Sequence, residues 1–120
     1  MNDDKEKPLL ALRLHEGDEQ EAGRISAALT GSDIDRAWLV RRWTPPVYRF
    51  AMRMLRNDED ARDAAQETMV KVLRNLHRYD PHRKFSTWVF GIARNTCIDE
   101  HRRRRRRAWN EPGDIVDLQS

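Results

Sequence analysis

The sequence is poor in the residues that form covalent links or break regular structure, with one cysteine, five glycines and five prolines among 120 residues. The single thiol, Cys97, excludes an intramolecular disulfide and a cysteine-rich zinc site. Apolar runs long enough to cross a bilayer are absent, and the first residues, MNDDKEK, lack the basic and then apolar order of a secretory signal. We therefore expect a small cytoplasmic protein without membrane insertion.

Acidic and basic residues are unevenly distributed along the chain. Residues 1–35 carry nine acids and four bases, whereas the remainder carries nineteen bases and eleven acids. Positive charge that is concentrated in one region attracts phosphate backbones of any sequence. The distribution predicts a polyanion-binding body preceded by an acidic leader, and charge alone leaves a membrane surface open as an alternative partner.

Apolar residues recur at helical spacing, and strand-like alternation is nearly absent. The pattern predicts an all-α fold, a compact bundle of three to four helices with a weakly ordered acidic N-terminal leader. In the leader, weak helices are expected over residues 9–15 and 19–29. The second should end near Gly31, since glycine readily adopts the left-handed conformation that stops a helix.

Three further helices are expected after the leader. The first has Asp33 or Asp35 as its N-cap and is kinked or interrupted at Pro45-Pro46, because proline removes a backbone donor. The second starts at the cap signal of Asn57 and runs to about Arg78. Its buried face is expected to hold Ala61, Ala65, Thr68, Met69, Val72, Leu73 and Leu76.

A loop over residues 79–84 should separate the second of these helices from the third. Ser86 is the expected N-cap of the last helix, which extends into the arginine run, Arg102 to Arg107. Composition alone leaves two alternatives for this run, a solvated helix end and a disordered basic tail.

Five residues form a polar stripe opposite the predicted core face of the second helix, and they are Asp63, Gln66, Glu67, Val70 and Arg74. Such a stripe is often only a solvated face. The apolar Val70 in its middle favours the alternative, a helix that docks on another protein.

Aromatic and basic residues alternate in the loop and at the start of the last helix: Tyr79, Phe85, Trp88 and Phe90 are interleaved with Arg83, Lys84 and Arg94. Rings that stack on bases and cations that meet phosphates are what a single-stranded nucleic acid requires. Packing in the core is the alternative for these rings, notably for Phe85 and Trp88. On the helix, Trp88, Asn95, Asp99 and Arg102 fall within a narrow arc, and asparagine can hydrogen-bond base edges.

Catalytic and metal sites are not indicated. His15, His77, His82 and His101 have neither the helical spacing of a metal site nor a nearby cysteine pair. No glycine-rich phosphate loop and no nucleophile flanked by a base are present. We expect no enzyme, no metal and no cofactor.

Two motifs then give the sequence a specific resemblance. They are D-x-x-Q-E, formed by Asp63, Gln66 and Glu67, and the pair FSTW and IARN at residues 85–88 and 92–95. From about Trp38 to Arg107 the chain resembles region 2 of bacterial sigma factors, in the extracytoplasmic-function (ECF) group of the sigma-70 family.

The resemblance implies two binding surfaces. In the family, the D-x-x-Q-E helix docks on the clamp helices of the largest subunit of core RNA polymerase, which implies polymerase binding by Asp63, Gln66, Glu67, Val70, Lys71 and Arg74. The loop and the last helix hold the non-template single strand of the promoter −10 element and flip a base into a pocket beside the loop. This implies DNA binding by Tyr79, Arg83, Lys84, Phe85, Ser86, Thr87, Trp88, Arg94, Asn95 and Arg102.

The resemblance also sets expectations for domains and function. We expect an acidic leader over residues 1–32, sigma region 2 over residues 33–108, and the start of a linker or a tail over residues 109–120. The helix-turn-helix of region 4 is absent, so we expect either an isolated region 2 or a naturally short factor. The expected function is promoter recognition and melting in the cytoplasm, at the nucleoid. The alternative is a sigma-like interaction module held by an anti-sigma factor, which is itself an expected partner, or one that regulates polymerase without initiating.

Overall fold

The computed structural model describes residues 19–110, which form helices and connecting loops with no strand among them. Helix α1 covers residues 19–29, and the predicted helix over residues 9–15 lies outside the described part. The other elements are α2 (Asp33–Leu55), α3 (Asp58–Arg74), a 3-10 turn (Leu76–Arg78) and α4 (Phe85–Asn110). The prediction of an all-α fold is confirmed.

The chain divides into two compact units, with the boundary between Arg42 and Trp43 inside α2. In the first unit, α1 ends as predicted at Gly31, whose φ of 101° few other residues adopt. The backbone N–H of Ser32 donates to the Ala27 carbonyl at 3.1 Å and that of Gly31 donates to Ala28 at 3.1 Å. These two bonds form a Schellman motif, which satisfies carbonyls at the end of α1.

The N-cap of α2 is Ser32, so the prediction of Asp33 or Asp35 is wrong. The Ser32 hydroxyl accepts the backbone N–H of Asp35 at 3.2 Å and donates to the Asp35 carboxylate. Arg24 binds that carboxylate at 3.0 Å and lies 5.2 Å from the centre of the Trp38 ring. The pKa of the Asp35 carboxyl is lowered below its ordinary value, mainly by the hydrogen bond from Ser32 and then by the hydrogen bond from Arg24. Asp35 therefore joins α1 to the first turn of α2 as an ion-pair partner.

Helix α2 continues through Pro45 and Pro46, so the alternative of an interruption there is wrong. Neither proline has a backbone N–H to donate the usual helical hydrogen bond, but the fixed φ of proline is itself compatible with a helix. Trp43 and Val47, on either side of the prolines, are both buried. We attribute the continuity of α2 to this packing, since tertiary contacts supply most of the stability of a helix in a protein.

One cluster in the core of the second unit is built mainly from small side chains. Ala51 and Leu55 of α2 pack with Ala61 and Ala64 of α3 and with Cys97 of α4. The surrounding half-buried residues are Tyr48, Phe50, Met52 and Met54. Burial raises the pKa of the Cys97 thiol, which keeps it protonated at neutral pH.

Helix α3 begins as predicted, because Asn57 is its N-cap and the side-chain oxygen accepts the Asp60 N–H at 2.9 Å. Its end differs from the prediction of about Arg78. The helix stops at Arg74, and the Lys71 carbonyl accepts both the backbone N–H and the side-chain amide of Asn75, each at 2.9 Å. A 3-10 turn then follows, and it keeps Leu76 buried.

Helix α4 begins at Phe85, so Ser86 lies within its first turn and is not its N-cap. The Trp88 N–H bonds instead to the Lys84 carbonyl at 3.3 Å. The helix continues through all six arginines to Asn110. The arginine run is therefore helical, and the alternative of a disordered basic tail is wrong for Arg102 to Arg107.

Across residues 19–110, every helix is too short or too polar to span a lipid bilayer.

Candidate functional site

An aromatic cluster lies where the loop meets α4. The Phe85 ring is buried, and its centre lies 5.0 Å from that of Tyr79 and 5.6 Å from that of Trp88. The Tyr79 and Trp88 rings are 5.4 Å apart and are only half-buried. Phe85 therefore supports two rings that remain partly open to solvent. Phe90 packs elsewhere, 5.5 Å from Phe50.

The loop over residues 79–84 is ordered by its own side chains. The Asp80 carboxylate accepts the His82 N–H at 2.9 Å and pairs with the Arg83 guanidinium at 3.9 Å. The Tyr79 hydroxyl donates to the Arg83 carbonyl across the loop. Arg83 and Lys84 stay exposed, and so the loop offers two cations beside the half-buried rings.

An open cleft of about 370 Å³ separates the end of α3 from α4, and we name it the α3–α4 cleft. It is lined by Lys71, Asn75 and Arg78 on one side and by Trp88, Ile92 and Asn95 on the other. The lining combines a flat ring, an aliphatic wall, two amides and two cations. A nucleobase offers a flat face and polar edges, and the lining matches both features.

Only part of this cleft was predicted from the sequence as a DNA site. Trp88 and Asn95 were predicted to share one arc of α4, and both line the cleft. Asn75, Arg78 and Ile92 were missed. Ile92 lies four residues after Trp88 and three before Asn95, so helical spacing contained the signal for it. The positions of Asn75 and Arg78 depend on how α3 ends, which the sequence pattern did not indicate.

Lys71 lies between the two predicted surfaces. Its ammonium donates to the Thr96 hydroxyl of α4 at 3.1 Å, and it lies 3.8 Å from the Glu67 carboxylate. The resemblance implied a role for Lys71 in polymerase binding, yet the same side chain lines the α3–α4 cleft. Its charge therefore acts on both surfaces.

The predicted polar stripe forms one continuous surface of α3, which we name the α3 polar face. Asp63, Gln66 and Arg74 are exposed, and Glu67 is half-buried. Val70 is 51% exposed, so the face carries a branched apolar side chain at its surface. The face thus offers an apolar contact within a ring of hydrogen-bonding and charged groups.

Other predicted DNA-binding residues lie away from the α3–α4 cleft. Thr87 and Arg94 are exposed on a flank of α4 that is turned by roughly 100° from Trp88 and Asn95. Ser86 is half-buried in the first turn of α4. None of these three residues lines the cleft, although Arg94 remains open to a phosphate outside it.

The arginine run divides into two sets. Arg103 and Arg104 reach α3, where they pair with Glu67 and Asp60 at 2.9 and 3.2 Å, and Arg107 pairs with Glu100 of its own helix at 3.2 Å. Arg102, Arg105 and Arg106 are exposed, and no ion pair is formed by them with residues 19–110. Arg102 and Arg106 continue the arc of Trp88 and Asn95 along α4. The sequence missed this division, because Glu67 and Asp60, the α3 partners of Arg103 and Arg104, come from distant positions in the chain.

Two of the paired arginines, Arg103 and Arg107, belong to an ionic chain that links α3 to α4. Arg103 contacts both Glu67, at 2.9 Å, and Glu100, at 3.1 Å. The hydrogen bond and the charge of Glu67 raise the pKa of the Arg103 guanidinium. Glu100 in turn contacts Arg107 at 3.2 Å. Glu67, a member of the D-x-x-Q-E motif, is thus held by an arginine of the same chain.

Comparison with known families identifies the class of this helical domain. Residues 39–107 match the family described as Sigma-70 region 2, and this match covers more than half of the chain. The chain belongs to the sigma-70 region 2 family. Its relatives are sigma factors of the ECF group, as the resemblance implied.

Two curated relatives show the extent of the similarity. The chain is 35% identical over 82 residues to the ECF RNA polymerase sigma factor SigW of Bacillus subtilis, a match that covers 68% of this chain and 44% of SigW. It is 41% identical over 68 residues to the ECF RNA polymerase sigma factor SigE of Mycolicibacterium smegmatis, covering 57% of this chain and 26% of SigE. The chain therefore spans less than half the length of these relatives.

A solved structure shares the fold. It is an NMR structure of the complex formed by an engineered region 2 of sigmaE with GTAAAA. The similarity has a TM-score of 0.68 at 30% identity and covers 72% of this chain and 90% of the other. The prediction of a sigma region 2 fold is confirmed.

Proposed function

We propose that this chain is the part of an ECF sigma factor that binds core RNA polymerase and captures the melted non-template strand of the promoter −10 element. It has no catalytic step of its own. Residues 33–108 form the functional domain in this proposal, and the chain acts on the chromosome in the cytoplasm.

The observation that carries the proposal is the α3–α4 cleft beside the ordered loop. A flipped base can stack on Trp88 while Asn95 hydrogen-bonds its edge and Arg78 or Lys71 meets a phosphate. Unstacking one base costs a few kcal/mol, and each stacked base can return about 1–3 kcal/mol. The complex of the related region 2 with GTAAAA supports this use of the fold.

The second half of the proposal concerns the α3 polar face. Its D-x-x-Q-E residues match the motif by which the family binds polymerase, and the exposure of Val70 supports a protein partner rather than solvent. The exposed amide of Gln66 and the carboxylate of Asp63 are free to contact that partner.

Two amide residues allow a reciprocal test, since Asn95 lies in the α3–α4 cleft and Gln66 lies on the α3 polar face. Binding of a single-stranded oligonucleotide that carries GTAAAA, and of the same bases in scrambled order, is measured by fluorescence anisotropy. Asn95→Ala is expected to reduce the preference for GTAAAA by about fivefold or more, because a good amide–base contact is worth about 1–3 kcal/mol. Gln66→Ala should leave that preference unchanged.

Binding to core RNA polymerase is measured in parallel by a pull-down with the same variants. Here Gln66→Ala combined with Glu67→Ala should abolish binding, whereas Asn95→Ala should bind as the wild type does. Equal losses by Asn95→Ala on both oligonucleotides would contradict base reading. Retained core binding by the double variant would contradict the assignment of the α3 polar face.

A further inference from the structure

One ionic contact joins the two proposed surfaces. Glu67 belongs to the α3 polar face and Arg103 belongs to the arginine run, yet their side chains are 2.9 Å apart. Both groups are partly exposed, at 37% for the Glu67 side chain and 45% for that of Arg103. Each group is therefore accessible to an outside partner but is already occupied by the other.

The neighbouring contacts show that Arg103 is shared between an acid of α3 and an acid of α4. Glu100, only 12% exposed, holds Arg103 at 3.1 Å and Arg107 at 3.2 Å. Arg102 and Arg106, by contrast, face outward. Arg103 lies next to Arg102 in the chain and one turn before Arg106. If its long side chain left Glu67, it would reach the same outward surface.

We propose that the Glu67–Arg103 ion pair is an intramolecular lock that couples polymerase binding to nucleic-acid binding. When a cationic side chain of polymerase pairs with Glu67, the contact with Arg103 breaks and Arg103 can bind a phosphate. When a phosphate binds Arg103, the same contact breaks and Glu67 can bind polymerase. The inference rests on the proposed function. It adds that Glu67 and Arg103 neutralise each other in the free protein, so that each proposed surface is partly neutralised before a partner binds.

The direction of the coupling follows from linkage. Because each partner breaks the same internal contact, the partner that binds second does not have to break it again. The two partners must therefore strengthen each other by the same factor. A partly exposed ion pair changes an equilibrium by up to about fivefold, so we expect a coupling of about three- to fivefold at low salt. Screening should remove most of it at high salt.

The first test measures binding of the single-stranded GTAAAA oligonucleotide to the protein without polymerase. Glu67→Gln removes the α3 partner of Arg103, leaves the contact with Glu100 on its own helix, and should raise the affinity by about three- to fivefold at low ionic strength. Glu59→Gln is the matched control, because Glu59 is an exposed acid of α3 without an ion pair to the described residues. It removes the same charge and should give a smaller gain.

A double variant separates the lock from a general charge effect. In an Arg103→Gln background, Glu67→Gln has no arginine to release, so its gain should fall to that of Glu59→Gln. Equal gains for Glu67→Gln and Glu59→Gln in the wild-type background would overturn the lock.

The second test measures core polymerase binding without DNA. Arg103→Gln removes the closer cation from Glu67, leaves the longer 3.8 Å contact with Lys71, and should strengthen core binding by about three- to fivefold. Arg105→Gln, which removes the same charge from an exposed arginine, should change it less. Weaker core binding by Arg103→Gln would mean that Arg103 holds Glu67 ready for polymerase, and the lock would be wrong. Failure of the wild type to bind either partner would instead overturn the proposed function.

Discussion

The burial of Phe85 distinguishes between the two roles that the sequence pattern allowed for this ring. The pattern allowed this ring to stack on a base or to pack in the core, and its exposed fraction is 4%. Its neighbours are Trp43, at a ring distance of 5.7 Å, and the half-buried Tyr79 and Trp88. Phe85 thus supports Trp88, and Trp88 lines the α3–α4 cleft and supplies the surface that a base would meet.

Replacement of this buried ring should be costly. Phe85→Ala is expected to destabilise the fold by about 3–5 kcal/mol, because it removes a large side chain and leaves a cavity. Thr87→Ala, two residues along at an exposed position, should change stability by less than about 0.5 kcal/mol. Urea unfolding followed by circular dichroism measures both values. If Phe85→Ala proved as mild as Thr87→Ala, the supporting role of the ring would be refuted.

At the scale of single residues, the sequence predicted the chemistry of the site better than its contacts. Trp88 and Asn95 follow from helical spacing along one element, and both line the cleft. The pairing of Arg103 with Glu67 joins residues that are 36 positions apart. A contact of this kind depends on how α3 and α4 pack, and no local pattern encodes it.

At the scale of elements, the ends of the helices were less predictable than their existence. Asn57 and Gly31 were predicted correctly because their side-chain chemistry or conformational freedom has a local effect. Ser86 is also a good capping residue, yet α4 begins one residue earlier. The burial of Phe85 explains this difference, since the packing of its ring fixes the first turn.

The cap of α3 allows a direct measurement at this scale. Asn57→Ala should destabilise the protein by about 1 kcal/mol, because the Asp60 N–H loses its side-chain acceptor. Asn57→Asp keeps an acceptor at the same place and should recover most of the loss. Thermal unfolding of the three proteins decides the matter, and a loss of equal size in both variants would show that the cap does not act through this hydrogen bond.

Arg104 of the arginine run and the neighbouring His101 attach helix α4 to the rest of the fold. Arg104 donates to the Leu55 carbonyl at 3.4 Å and pairs with Asp60 at 3.2 Å, and His101 contacts the Met54 carbonyl at 2.9 Å. These contacts attach α4 to the turn between α2 and α3. Arginines that looked like a simple polyanion-binding run in the sequence therefore also anchor the helix that carries them.

At the scale of the whole molecule, fold class and family were predictable because they depend on long, repeated signals. Helical periodicity extends over most of the chain, and the family match covers residues 39–107. The α3–α4 cleft was predictable only in part, since Asn75 and Arg78 reach it through the early stop of α3 and the 3-10 turn that follows. At that stop the Asn75 side chain bonds to the Lys71 carbonyl, a local contact with the backbone that helical spacing does not predict.

The central claim is that one small helical domain joins polymerase to a single DNA strand. Its most direct test is retention of a GTAAAA-bearing single strand by immobilised core RNA polymerase, measured with and without this protein. The account predicts that core polymerase retains the strand above background only when the protein is present, and that Asn95→Ala reduces retention while the protein itself stays bound. Binding of the protein to core polymerase with no increase in retained strand would contradict the claim and favour a sigma-like interaction module.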